Sequence, residues 1–342
     1  MQNQEQRFSF TGTGSEYFRI WIVNLILTIL TLGIYSAWAK VRRMQYFYRN
    51  THLHEASFDY HGTAVAILKG RLIAVGLFAA YSITLRLLPP LGLTIALFIA
   101  LIMPYLLVLS FRFRLYNSSY RGLRFSFVGS VKSAYFTFLA LPVFTLFTLY
   151  LLAPFTHQRI KAYQHNNSRF GLSNFSFNAG AGSFYKIYFF TLIQLVLVVS
   201  LFAYAAYSMF KGKMAHMPRE AIVGFVLIAY LLLIIASLLI VPYFISRIQN
   251  LIWNHTELGD HRFSSSLSAR GLAWIIFSNL ILIVLTLGLF KPFADIRLAR
   301  YKIEHMALLP ADSIENFIAS EQQQIAATGT ETAEIFDLDI GF

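Results

Sequence analysis

Apolar residues run along this chain in long blocks, and each block ends in the same short polar grammar. Seven blocks are long enough, or nearly so, to cross a bilayer core as helices, which takes about 20 residues. They are 20–38, 72–88, 91–111, 134–155, 187–210, 221–245 and 272–290. Pro89-Pro90 breaks the pattern between the second and third, so those two predict a helical hairpin. Between blocks the period changes. Asn50-Thr-His-Leu, then Phe58-Asp-Tyr60-His-Gly62, alternates aromatic and polar residues as strands do. Gly171 and Gly259 fall at matching turn positions. Each such segment predicts a short β-hairpin lying at the membrane surface. Phe8-Ser-Phe10-Thr-Gly12 reads as a stray copy of a second strand.

The grammar recurs five times. Its anchor is Ala37, Pro104, Pro154, Pro242 or Pro292. The next residue is aromatic: Trp38, Tyr105, Phe155, Tyr243, Phe293. Five places on stand Arg42, Arg159, Arg247 and Arg297, with Leu109 the exception. Thirteen and fourteen places on come Asn50-Thr51, Asn117-Ser118, Asn167-Ser168, His255-Thr256 and His305-Met306. Repeated sequence means repeated structure. The expected fold is therefore an all-α polytopic membrane protein of about seven transmembrane helices, built from duplicated units with short interfacial β-hairpins. Residues 1–307 form one membrane domain, with a first span at 20–38 and repeat units at 64–155 and 184–290. Residues 308–342 form an acidic cytoplasmic tail. Three crossings per unit would invert the second unit relative to the first, the plan of many secondary transporters. A rival topology makes the first, fourth and seventh spans re-entrant and puts every basic loop on one side. Against it stands the backbone such half-spans would expose at mid-membrane.

Composition agrees with a membrane protein. Of 342 residues 57% are hydrophobic and 13% charged, with mean hydropathy +0.58. The absence of cysteine removes disulfides, thiol nucleophiles and cysteine metal sites. The polar start predicts no cleaved signal peptide, the first span serving instead. All 28 Lys and Arg lie at or before Lys302, while residues 308–342 carry seven acids and no base. Counting bases under seven crossings favours a cytoplasmic C-terminus. Bases scattered at span ends suit anionic lipid, and no nucleic-acid stripe is present.

Several of these stretches resemble one family. Phe10-Thr-Gly-Thr-Gly-Ser-Glu-Tyr17, Thr31-Leu-Gly-Ile-Tyr-Ser-Ala-Trp-Ala-Lys-Val-Arg42, Asn50-Thr51 and Phe58-Asp-Tyr-His-Gly62 are similar to the YjgN-like bacterial inner-membrane proteins. So is the tail Gly329-Thr-Glu-Thr-Ala-Glu-Ile-Phe-Asp-Leu-Asp-Ile-Gly341. One departure is His54, where glycine is usual at the hairpin turn. The resemblance implies a cytoplasmic-membrane location and offers no activity, catalytic residue or cofactor.

The candidate sites follow from position. Arg42, Arg159, Arg247 and Arg297 read first as interfacial anchors, and alternatively as contacts for anionic lipid or an anionic solute. Asn24, Gln194 and Asn279 are polar groups inside spans, suited to helix–helix hydrogen bonds or to a substrate. His52, His54 and His61 cluster locally, but surface histidines are the default and no metal is expected. No nucleophile–base constellation stands out, so no enzyme is expected. The leading function is passage or binding of a small neutral or anionic solute or lipid between the repeats, with Asn24 and Asn279 lining the site. The alternative is a non-transporting membrane scaffold or lipid-organising protein.

Overall fold

The computed structural model describes residues 5–211 and 218–328. Ten strands close one antiparallel barrel, β1 (Gln6–Phe10), β2 (Thr51–Leu53), β3 (Ala56–Tyr60), β4 (Ser118–Tyr120), β5 (Leu123–Phe127), β6 (Ser168–Phe170), β7 (Ser173–Phe177), β8 (Thr256–Leu258), β9 (His261–Ser265) and β10 (Met306–Leu309). This corrects the all-α expectation. The predicted hairpins do form, but they are not separate surface patches. Each pairs with the next, and β1 closes the ring between β2 and β10. The stray first strand is thus the partner that the last strand lacked. A two-stranded hairpin is marginal alone, and closure removes every edge.

Period-2 alternation fills the barrel. Each second strand turns one phenylalanine inward: Phe8, Phe58, Phe125, Phe175 and Phe263. Neighbouring rings lie 6.2, 6.4, 6.4 and 6.1 Å apart between centroids, a spacing that favours aromatic pairs. Opposite them in register sit Leu53, Tyr120, Phe170, Leu258 and Leu308, all buried. The turns need left-handed backbone. Gly171 and Gly259 have φ of 58° and 55°, and His54 adopts 54° in the same place.

Five helical hairpins alternate with these strands. Two are long: α3 (Ala64–Leu87) with α4 (Pro89–Tyr116), and α8 (Ala181–Phe210) with α9 (Arg219–Asn254). Among the described residues these are the four helices long and apolar enough to cross a membrane. Three are short: α1 (Gly14–Leu30) with α2 (Ser36–Arg49), α5 (Val131–Tyr135) and α6 (Leu141–Phe147) with α7 (Ala153–Asn166), and α10 (Ala269–Leu285) with α11 (Lys291–Glu304). A π-turn at Phe136–Ala140 joins α5 to α6. The seven crossings are therefore replaced by four, because the first, fourth and seventh apolar blocks fold back on themselves. Strands from both long-hairpin regions share one barrel, so neither region is inverted relative to the other.

The tips of the short hairpins answer the objection about exposed backbone. At the first, Thr31 Oγ1 donates to Leu27 O (2.7 Å) and accepts from Tyr35 N (2.9 Å), while Gly33 N reaches Thr28 O (2.8 Å). Thr286 and Gly288 repeat these bonds at the last tip, and Thr148 with Tyr150 at the middle one. The turn pays off its own carbonyls and amides and presents only apolar side chains. Leu32, Leu149 and Leu287 are 94%, 86% and 95% exposed there. Such tips can sit in hydrocarbon without protein around them.

The recurring residues thirteen and fourteen places past each anchor also find a local cause. Asn50, Asn117 and Asn167 donate through Nδ2 to the carbonyl four residues back, at 2.8, 2.8 and 2.7 Å. His255 and His305 reach the same carbonyl through Nδ1 at 2.9 and 2.8 Å. The hydroxyls of Thr51, Ser118, Ser168 and Thr256 take the next carbonyl. Four of the five helices thus satisfy two end carbonyls with the residues that begin the strand, and α11, followed by Met306, satisfies one.

Candidate functional site at the membrane interface and barrel mouth

The positions five places after the anchors lie on the second helix of each hairpin, close below the barrel. Arg42, Arg159 and Arg247 are exposed, and each guanidinium lies over an aromatic ring: Tyr35 at 5.7 Å, Phe155 at 5.0 Å and Tyr243 at 5.5 Å. The stacking holds the charge beside the interfacial aromatic and leaves its N–H donors free to turn outward. Beside Arg159 opens a groove of about 660 Å³, walled by Lys132, Ser133, Phe155, Asn166 and Asn167. Its two cations over an aromatic wall suit a phosphate group with an apolar neighbour.

Arg297 differs. It is half-buried, and its Nη1 and Nη2 donate to Asn279 Oδ1 (2.7 Å) and Ser278 Oγ (3.0 Å). Asn279 Nδ2 donates in turn to Ala294 O (3.2 Å). That network ties α10 to α11. Asn24 occupies the matching place on α1 and is 7% exposed, yet its Oδ1 has no partner among the described residues. The residue before it is Val23 where the last hairpin has Ser278, so Arg42 lacks a second acceptor there and lies over Tyr35. Asn24 and Asn279 therefore sit in separate hairpins and line neither described cavity. Gln194 lies half-buried on α8.

The three clustered histidines diverge. His54 Nδ1 faces Arg121 (3.2 Å) and Glu315 (3.7 Å), His61 Nε2 meets Ser119 Oγ (2.8 Å), and His52 Nδ1 is buried without a partner among the described residues. Among the described residues no group of three potential ligands could hold a metal ion.

Sequence reasoning missed the barrel mouth. Helix α12 (Ile314–Thr328) lies across it, and Ile314, Phe317 and Ile318 close an apolar lumen of about 170 Å³. Two polar contacts fasten it. Glu321, 4% exposed, accepts through Oε2 from Leu172 N (2.6 Å) and Ser173 N (3.3 Å), and through Oε1 from Ser173 Oγ (2.7 Å). His261, also 4% exposed, accepts at Nδ1 from Ala311 N (3.1 Å) and stacks edge-on against Phe317. Burial pushes the His261 imidazole below the usual histidine range, against the pull of Asp260 and Asp312. The signal was present: residues 314, 317, 318, 321 and 325 form one helical stripe, apolar except for the acid at 321. Residues 329–342 of the expected acidic tail lie outside the described residues.

A sealed barrel resting on lipid-length helices defines an integral membrane protein. None of the residues in α8's most apolar window, and 17% in those of α3 and α4, are buried by protein. The chain belongs to a family described as bacterial protein of unknown function (DUF898), which matches residues 5–335. It is 25% identical over 347 aligned positions to inner membrane protein YjgN of Salmonella typhimurium (strain LT2), covering 87% of each chain. It is 32% identical over 137 positions to inner membrane protein YjgN of Escherichia coli O157:H7, covering 40% of this chain and 34% of the relative. The apolar helices and these relatives together support an inner-membrane location. No solved structure matches the chain.

Proposed function

We propose that this protein is a non-transporting, lipid-organising component of the bacterial inner membrane, anchored by two crossing hairpins and inserted into one leaflet by three re-entrant ones. The observation that carries this reading is the single closed barrel. All five helical hairpins must leave it from the same face, and three of them stop at apolar tips. Inserted volume is then greater in the leaflet beside the barrel. Five copies of one helical-hairpin and β-hairpin unit would generate this plan. Arg42, Arg159 and Arg247, stacked at the interface, are the proposed contacts for anionic lipid, and Arg297 is the hairpin brace. Passage of a solute between inverted units, lined by Asn24 and Asn279, is not favoured, since those residues occupy separate hairpins. No enzymatic role, nucleic-acid partner or cofactor is part of this reading.

On this reading the barrel and the C-terminus face the cytoplasm. Among the described Lys and Arg, only Arg86, Lys211 and Arg219 lie at the far ends of the long hairpins. Lipid retention tests the proposal. Protein in nanodiscs of mixed phosphatidylglycerol and phosphatidylcholine should keep phosphatidylglycerol preferentially on native mass spectrometry. Combined Arg42→Gln, Arg159→Gln and Arg247→Gln substitution should lower that preference. Equal retention of both lipids by the unsubstituted protein would overturn it. Single cysteines at Ser57, Ser119, Ser173 and Ser265 should all resist an impermeant thiol reagent on intact cells, and labelling of any of them would reverse or break the orientation.

A further inference from the structure

Four cations converge inside the ring of helices, and among the described residues none of them forms an ion pair with a carboxylate. They are Lys40 on α2, Arg71 on α3, Arg114 on α4 and Lys161 on α7. Helical phase sets their direction. On α2 the exposed residues Trp38, Arg42 and Arg49 mark the outer face, while the exposed Arg43 turns aside to pair with Asp295 on α11 (3.9 Å). At about 100° per residue Lys40 lies about 160–180° from all three. On α7 Lys161 stands about 140–160° from the exposed Arg159 and Asn166 by the same count. Both lysines therefore point away from lipid.

Topology supplies the rest. The α3–α4 hairpin lies between α2 and α7 around the ring, with α2 packing on α3 and α4 on α5. The charges of Arg71 and Arg114 both act on Lys40, and that of Arg114 also acts on Lys161. A side chain of α4 that acts on the inward lysines of both neighbouring hairpins must itself face the interior. Arg114 is nonetheless exposed, so that interior is open space at this level. Arg71 Nη1 donates to Ser36 Oγ, and Lys161 Nζ to Gln164 Oε1 (3.3 Å). These neutral acceptors orient the cations and leave their charge uncompensated.

We propose that this cluster is a binding site for a phosphate-class anion, with Arg114 at its centre and Lys40 and Lys161 closing on it from the two flanking hairpins. The guanidinium supplies paired donors that match two phosphate oxygens, and the ammonium groups supply point charge. Partial burial strengthens each contact, and the like-charge repulsion that the empty site carries is relieved when the anion enters. The anion can be a phospholipid headgroup or free orthophosphate. The site shares no residue with the outward arginines and does not rest on the lipid-organising reading.

The full-length protein decides it. Orthophosphate is titrated calorimetrically into the protein in zwitterionic detergent. Retained phosphatidylglycerol is then counted by native mass spectrometry in nanodiscs. Arg114→Gln and Lys161→Gln should each weaken binding about tenfold or more, Lys161→Arg should retain it, and Arg262→Gln, at an exposed strand position paired with Glu257, should leave it unchanged. Calorimetric heat with orthophosphate assigns a free anion. Silence with orthophosphate, but phosphatidylglycerol lost in Arg114→Gln, assigns a headgroup. Without anion, Arg114→Gln should unfold at a higher temperature than the unsubstituted protein, and phosphate should close the gap. The proposal is overturned if neither ligand separates Arg114→Gln from the unsubstituted protein, or if Arg262→Gln loses as much. A failure of the outward triple variant alone leaves this site standing.

Discussion

Replacing Glu321 with alanine should release helix α12 from the barrel mouth. Its carboxylate takes three hydrogen bonds from the β6–β7 turn, two of them at 2.6 and 2.7 Å. Hydrogen bonds to a charged group contribute about 1.5–3 kcal/mol each, and they do not add fully. Losing all three also strands the Leu172 amide at a site that only the helix covers. The expected cost to docking is about 2–4 kcal/mol, or about 30- to 1000-fold in the opening equilibrium. The apolar contacts of Ile314, Phe317 and Ile318 remain, so the helix should open more often without detaching outright. Glutamine at 321 is the graded control. Its amide oxygen can still accept from Leu172 N, and its NH2 can donate to a reoriented Ser173 hydroxyl, so about half the loss should return. The readout is hydrogen exchange over residues 314–328, with the barrel strands as internal reference. Unchanged protection of α12 in Glu321→Ala would refute the reasoning and leave the apolar face as the whole of the attachment. The turn itself depends on Gly171. Its φ is 58°, and a Cβ there would collide with the Glu321 carboxylate.

Three further outcomes follow from single contacts. Tyr150 holds φ 65° at the tip where the other two re-entrant hairpins use Gly33 and Gly288, so Tyr150→Gly should stabilise by about 1 kcal/mol, read as a higher unfolding temperature in detergent. Asn279→Leu should cost about 1.5–3 kcal/mol because it strands Arg297, whereas Asn24→Leu should cost under about 0.5 kcal/mol, and equal losses on chemical denaturation would contradict the two environments. His261 is held neutral, so the undocked state binds protons more readily than the docked one. Docking is at full strength above the ordinary histidine pKa of 6.5 and weakens as pH falls below it, with the Nδ1 acceptor lost on protonation. Proteolysis of α12 should therefore speed up between pH 7.5 and 5.5, and His261→Asn should remove that dependence.

Local chemistry was legible because it repeats. The anchor residues, the capping Asn and His side chains, the strand alternation and the family all stand in the linear order, and each acts within a few residues of itself. The acid in the apolar stripe of α12 was equally visible, although its partner, 148 residues away in sequence, was not. Hydropathy also found every apolar block but could not tell a crossing from a fold-back. That choice turns on Thr31, Thr148 and Thr286, whose hydroxyls satisfy a mid-membrane turn in bonds too short-range for hydropathy to register.

The sequence by itself determined a membrane protein of five recurring polar segments with strand and helix ends in place. Tertiary structure alone decided that ten strands of three to five residues make one barrel. Strands so short carry too little pattern to name their partners, and β1 meets β10 across almost 300 residues of chain. Closure then decided the rest. Once every strand belongs to a single ring, every hairpin must leave it from one face, and neither an odd number of crossings nor an inverted half can be accommodated.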